Sequence, residues 1–371
     1  MKQRFRVFRY LAAEILRCAW TSLKNGVKVL LGRPGYFDER GLFLRQYLLH
    51  LTGLRTLRAI TCRSSSSREG AGANALMTMN TIAFARTAGL TYLHTPFTVI
   101  NHGGEEPMHE WVAQWEDFFN LGAGEPVCDG DGRKVASYIY TSDLLGLWFG
   151  GPGRAPELAR GFGALIPEFR SKYYRNSPPR ATRDVTIAIH VRRGDVSSDS
   201  FSSRYTGTEK ILRTLSDVKS ILDARGITCR IDVYSNGNRS EFRDFSSLGA
   251  ALHLAPEVDA FRTMRELIEA DILITAKTST FSLYAGLISE GIKVFEPKTN
   301  DTAALLAAPF VLPSTLWMHI CRPADWIQCG ADGSLDRASF EAQLGPVWDR
   351  RFRLSARPPA ALPVARESFR G

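Results

Sequence analysis

Apolar positions in the second half of the chain fall in short unbroken runs, separated by stretches with helical spacing. Residues 186–191 and 272–275 are the clearest such runs, the pattern of strands buried on both faces of a parallel sheet, and 230–234 and 293–295 are read as further strands. Between them, residues 209–225, 261–270 and 282–289 repeat their apolar positions with the period of an α-helix. This alternation predicts a Rossmann-like parallel sheet. The first half has the same grammar on a smaller scale: a strand over 54–62, a Ser/Gly loop over 64–72, a helix over 74–87 and a strand over 90–94. A helical stretch at 155–174 leads into residues 176–183, rich in Pro and Arg and read as a linker. The expected fold class is α/β, with Rossmann-like domains over 46–178 and 179–330. Residues 1–45 form a lead-in, and 331–371 a terminal helix and a Pro/Ala/Arg tail expected to be disordered.

Charge alters the picture at the ends of the chain. Residues 3–24 set Phe5, Phe8, Leu11, Ile15, Leu16, Trp20 and Leu23 at helical spacing among Arg4, Arg6, Arg9, Arg17 and Lys24. That is a basic amphipathic helix, suited to an anionic membrane surface or to docking on the protein's own core. The chain's net charge is +9, yet residues 1–33 hold +7 of it and 351–371 hold +4, which leaves the middle at −2. A nucleic-acid-binding core is excluded on that ground. No apolar run is long enough to span a membrane, and the six cysteines show no metal-ligand spacing. The expected setting is the cytoplasm, with peripheral contact at the inner face of the plasma membrane.

Candidate chemistry clusters where the predicted strands end, because ligands of open α/β sheets sit beyond the strands' carboxyl ends. The strand at 186–191 runs into His190-Val191-Arg192-Arg193-Gly194-Asp195. Two guanidiniums beside a glycine suit a diphosphate, since arginine presents a fork of donors to phosphate oxygens. The strand at 230–234 ends at Ser235 and Asn236, and the one at 272–275 runs from Asp271 to Lys277, Thr278, Ser279 and Thr280 at a helix start. In the first half, Gly70, Gly72 and Asn74 stand where a strand turns into a helix. His94 and His102, near a strand end and in a loop, are the acceptor-site candidates; Trp111, Trp115 and Phe118 fit a buried helix face. Asp129-Gly130-Asp131 resembles a metal-binding Asp-x-Asp but is flanked as a hairpin turn, so no metal is assigned to it.

The string His190-Val191-Arg192-Arg193-Gly194-Asp195 resembles the donor-binding motif of α1,2-, α1,6- and protein O-fucosyltransferases. Residues 270–282 are similar to a later motif of that group, and Gly70-Ala71-Gly72-Ala73-Asn74-Ala75 more weakly to its glycine-rich first loop. The resemblance spans roughly residues 55–300 and implies a two-domain GT-B fold and inverting transfer from GDP-fucose with no metal or other cofactor. It implies that Arg192 meets the diphosphate, matching the arginine common to the group. Asp199, one position displaced from a carboxylate of some members, or Asp195 within the motif would then be the base. A bacterial surface glycan or glycolipid is the implied acceptor. A GT-B enzyme with another nucleotide sugar, and a non-catalytic carbohydrate-binding relative, remain as alternatives.

Overall fold

A computed structural model describes residues 58–62, 69–103, 106–128, 136–137, 155–177, 185–200, 204–277, 279–296 and 325–345, with Ala12, Leu16 and Trp20 as helical positions. The chain is α/β, as the alternation predicts. Its smaller sheet is parallel, in the order β2-β1-β3, from β1 (Ala59–Thr61), β2 (Thr91–Tyr92) and β3 (Ala136–Ser137). Helices α1 (Ala71–Ala88), α2 (Met108–Phe119) and α3 (Ala155–Asn176) accompany it. The larger sheet follows, built from β4 (Val185–Val191), β5 (Cys229–Ser235), β6 (Ala251–Leu254), β7 (Ile272–Thr275), β8 (Ile292–Phe295) and β9 (Ile327–Gln328). Its helices are α4 (Thr208–Ala224), α5 (Ala260–Glu269) and α6 (Thr280–Ile288). All its strand pairs are parallel, in the order β6-β5-β4-β7-β8-β9. Chain order therefore reverses between β4 and β7, the point where doubly wound sheets open a crevice at their carboxyl edge.

Each face of the large sheet has its own core. Val185, Ile187, Ile189 and Val191 point to the side of α4, where Leu215, Val218, Phe242, Phe245 and Phe340 close the layer. Ala188, Tyr234, Leu273 and Phe295 point the other way, to α5 and α6. Every residue from Ser282 to Ile288 is buried, so α6 is apolar all round and must be covered on all sides. The helices of the first half supply that cover. Trp115 lies 4.2 Å and Trp111 5.2 Å from the ring of Phe261 on α5, so one aromatic core runs from the small sheet to the large one. Arg170 of α3 donates to the carbonyls of Leu287 and Ser289 at 3.1 and 2.7 Å, satisfying the buried carboxyl end of α6 with a cation.

Three features depart from the sequence reading. The edge strands β6 and β9 and the 3₁₀ segment Arg239–Leu248 have no clear apolar period, because edge and short elements are half covered. Helix α1 begins at Ala71, so Gly72 lies in its first turn and not in a phosphate loop. A Cβ on Gly72 would stand 2.7 Å from the Thr280 carbonyl oxygen and 2.8 Å from the Phe281 nitrogen: the glycine lets α1 lie directly on the start of α6. Asp271, expected at the donor site, instead stands at the amino-terminal edge of the sheet. There its carboxylate accepts from the Thr186 N–H at 2.8 Å and its hydroxyl at 3.2 Å, tying β7 to β4. The Asp129–Asp131 motif and both basic ends, apart from the three helical positions named, lie outside the described residues.

Because backbone cannot yield as a side chain can, Gly72→Ala is expected to force α1 and α6 apart and cost roughly 1–3 kcal/mol. Urea denaturation with matched m-values checks this; an unchanged midpoint contradicts the close crossing.

Candidate functional site

At the reversal between β4 and β7 the chain leaves the sheet as a cavity. His190, Arg192, Arg193, Arg204, Thr206, Lys210, Thr275, Ala276, Lys277 and Glu296 contribute polar or backbone groups to its wall. Strand alternation sorts the motif. His190 and Arg192 lie on the α6 side, whereas Val191 and Arg193 turn to the α4 side. Arg192 is partly exposed, at 22%, and its Nη2 and Nε donate to the two oxygens of Asp195 at 2.7 and 3.3 Å. Desolvation works against the Asp195 charge, but the hydrogen bond and charge of Arg192 hold its carboxyl below the usual range, with His102 adding to the effect.

Arg193 has a different position. It is 2% exposed and donates to the carbonyls of Arg192 and Thr206 at 2.9 and 3.0 Å and to the Thr208 hydroxyl at 3.3 Å. Its guanidinium lies 4.3 Å from the centre of the Tyr205 ring and 3.7 Å from Glu241. The two arginines therefore do not form one diphosphate fork; Arg193 ties the loop after β4 to the start of α4. Gly194, at φ 78°, closes the turn with the Asn236 amide against it, where any Cβ would clash. Asn236 Oδ1 accepts from the Arg193 N–H at 3.2 Å, and Ser235 Oγ accepts from the Gly237 N–H at 3.1 Å. Both residues thus shape the loop from β5.

Lys277 lies deep in the cavity, 7% exposed, and donates to Glu296 Oε1 at 3.0 Å. Glu296 also accepts from the Thr206 hydroxyl and lies 3.7 Å from Lys210. Sequence reasoning missed Glu296, Thr206 and Lys210. Glu296 follows the last residue of β8 as Arg192 follows that of β4, so the strand-end rule applied at one strand was available at the other. His190 keeps Nδ1 buried without a hydrogen-bond partner, its ring 5.6 Å from that of Phe281. Burial, and then the charge of Arg192, lower its pKa to about 3.

The helix starts complete the arrangement. Ser279 caps α6 and Gly70 caps α1; neither helix has a side-chain cap or an acidic residue in its first turn, and the Gly72 contact holds them together. Two positive helix ends thus meet beside the strand end that carries Arg192. Thr280 opens α6, and Thr278 lies outside the described residues. Asn74 is buried and donates to the Glu69 and Gly70 carbonyls, both at 3.2 Å, bracing the α1 start. His102 is exposed, near Gly70. Asp199 is also exposed, in the turn closed by Ser197 and Ser200.

His94 does not join them. It is 6% exposed, with Nε2 2.6 Å from Glu116 and Nδ1 3.2 Å from the Tyr92 hydroxyl. The second Glu116 oxygen accepts from the Phe97 N–H at 3.0 Å, so His94 pins the loop after β2 to α2 and has no face left for an acceptor.

No protein-family profile matches the sequence, and no curated protein does. Among solved structures, the chain is similar to POFUT1 crystallised with GDP-fucose: 10% identity, TM-score 0.33, covering 64% of this chain and 96% of that one. It is similar to an Arabidopsis thaliana FUT1 mutant in complex with GDP, at 14% identity and TM-score 0.34, covering 70% and 76%. It is also similar to a trehalose 6-phosphate synthase from Burkholderia multivorans, at 13% identity and TM-score 0.23, covering 96% and 81%. At such scores function has to be read from the site itself.

Two stability measurements test these placements. Arg193→Ala is expected to lose roughly 3 kcal/mol, because it removes a buried charge and strands its partners. Arg192→Ala should stay within about 1 kcal/mol, its ion pair being partly solvated. Equal losses would show that the two arginines do not differ in this way. Below pH 6.5, the ordinary imidazole value, unfolded His190 binds a proton that the folded residue refuses down to about pH 3. Stability therefore falls with pH through that window. The His190→Gln variant should lose less on acidification than wild type in denaturant titrations at neutral and mildly acidic pH; parallel losses would remove His190 from the account.

Proposed function

We propose that the chain is an inverting, metal-independent glycosyltransferase that takes its sugar from GDP-fucose. One observation carries the reading: Arg192, free to reach solvent but oriented by Asp195, stands at the reversal point of the sheet beside the uncapped starts of α1 and α6. Departure of a diphosphate builds negative charge, and an enzyme without a metal has to meet it with a guanidinium and backbone N–H groups. Arg192 does so directly. The amides of α6 after Ser279 and of α1 after Gly70 add the fixed partial charge of the helix ends. Lys277 adds positive potential from below, tempered by Glu296. Arg193, Gly194, Ser235 and Asn236 act by shaping the loops that present Arg192. The guanine and fucose assignments rest on the motif resemblance, and the second reading, another nucleotide-sugar donor, fits the same charge pattern.

The acceptor we propose is a glycan or glycolipid assembled at the cytoplasmic face of a bacterial membrane. Among the described residues no helix is long and apolar enough to cross a membrane. Leu16 and Trp20, one helical turn apart and 71% and 59% exposed, support attachment by an amphipathic helix.

Thermal shifts with GDP, UDP and CMP, each with and without EDTA, test the donor: stabilisation by GDP alone, unchanged by EDTA, is expected. A preference for UDP or loss of the shift in EDTA would overturn it. Arg192→Ala should lower turnover by roughly 100- to 1,000-fold, the cost of one oxyanion donor. Near-native turnover would remove Arg192 from the phosphate site.

A further inference from the structure

We infer that His102 takes the proton of the attacking hydroxyl, a role that rests on the transferase reading above. Among the described residues, only His102 and Asn120 outside glycine have positive φ, at 67° and 50°. Asn120 ends α2, a place where asparagine is at ease in the left-handed region. His102 has no helix end to explain its backbone; the surrounding structure imposes it. On one side Ile100 is fully buried and the Asn101 N–H donates to the Glu69 carbonyl at 3.0 Å. On the other, Gly103 lies against the Trp111 indole, where even a Cβ would come within 3.2 Å. The loop is braced at both shoulders, and what it presents is the imidazole.

That imidazole stands at the start of α1, its Cδ2 3.3 Å from where a Gly70 Cβ would be, and within electrostatic range of Asp195. It is exposed, on the first-half side of the site. The carboxylates at hand are poorly suited to the task. Both Asp195 oxygens accept from Arg192, and Arg192 keeps that acid ionised and weakly basic. Glu296 is held by Lys277 and Thr206 inside the cavity. Asp199 accepts from the Ser198 hydroxyl on an exposed turn. The exposed His102 imidazole, by contrast, is not held in an ion pair like that of Asp195 or Glu296, and a neutral ring offers a nitrogen that can accept a proton.

The step balances. The acceptor oxygen bonds to the anomeric carbon as the bond from that carbon to the diphosphate oxygen breaks. The bonding pair leaves with the diphosphate, towards Arg192, and the hydroxyl proton passes to a ring nitrogen of His102.

The full-length protein tests this with water as acceptor, following GDP release from GDP-fucose and measuring GDP affinity separately. His102→Asn keeps a residue that tolerates the left-handed backbone; it should slow release about 100-fold or more, while the Kd for GDP changes less than about threefold. His102→Gly should be as slow, and added imidazole should restore its release at least about tenfold. Wild-type turnover with an unimpaired Asn variant, with GDP affinity lost in step with rate, or with no response to imidazole overturns the base assignment alone. A wild-type protein that neither binds GDP nor releases it from GDP-fucose overturns the donor reading, and the inference falls with it.

Discussion

The close crossing of α1 over the start of α6 is the contact on which the site depends. Separate sheets give separate helix ends; here Gly72 removes the one side chain that would hold the two helices apart. The positive ends of an 18-residue and a 9-residue helix then share one small volume. Bringing like partial charges together is unfavourable in isolation, and neither end is relieved by an acidic side chain of its own. The aromatic packing of Trp111 and Trp115 on Phe261 and the Arg170 cap on α6 compensate. An anion bound between the ends would relieve them further. The fold thus holds a positive potential in place at the meeting of the two helix starts.

The large sheet was readable because its strands are buried on both faces. Ile187, Ile189, Ile272 and Ile274 leave no ambiguity about type, and helices α4 and α5 each have a single apolar face. The candidate site was sought by the same reading, since charge after a buried strand of an open sheet faces a crevice. Individual roles were much less legible. His94 sits at a strand end, as a ligand-binding histidine would, but its fate is decided by Glu116 from a later helix, with Tyr92 two residues back taking the other ring nitrogen. Asp271 fits a motif by sequence and serves the opposite edge of the sheet in space. Gly72 looks like a loop glycine because a helix start and a phosphate loop have the same local signature; its contact, over 200 residues away at Thr280, is invisible locally.

The two arginines of the motif show most directly why adjacency in sequence misleads. Successive residues leaving a strand point to opposite faces. His190 and Arg192 therefore share one side, and Arg193 goes to the other, where the Thr206 carbonyl and Thr208 hydroxyl accept from it and the Tyr205 ring lies against its guanidinium. One guanidinium stays partly exposed while the other is buried in the loop that follows β4. The same division explains His190. It stands under Arg192 on the same face, is kept neutral by burial and by that guanidinium, and so adds bulk without a second positive charge. A fully charged trio would repel within the crevice. With His190 neutral and Arg193 turned away, the face of the strand end shared by His190 and Arg192 keeps a single guanidinium, oriented by Asp195.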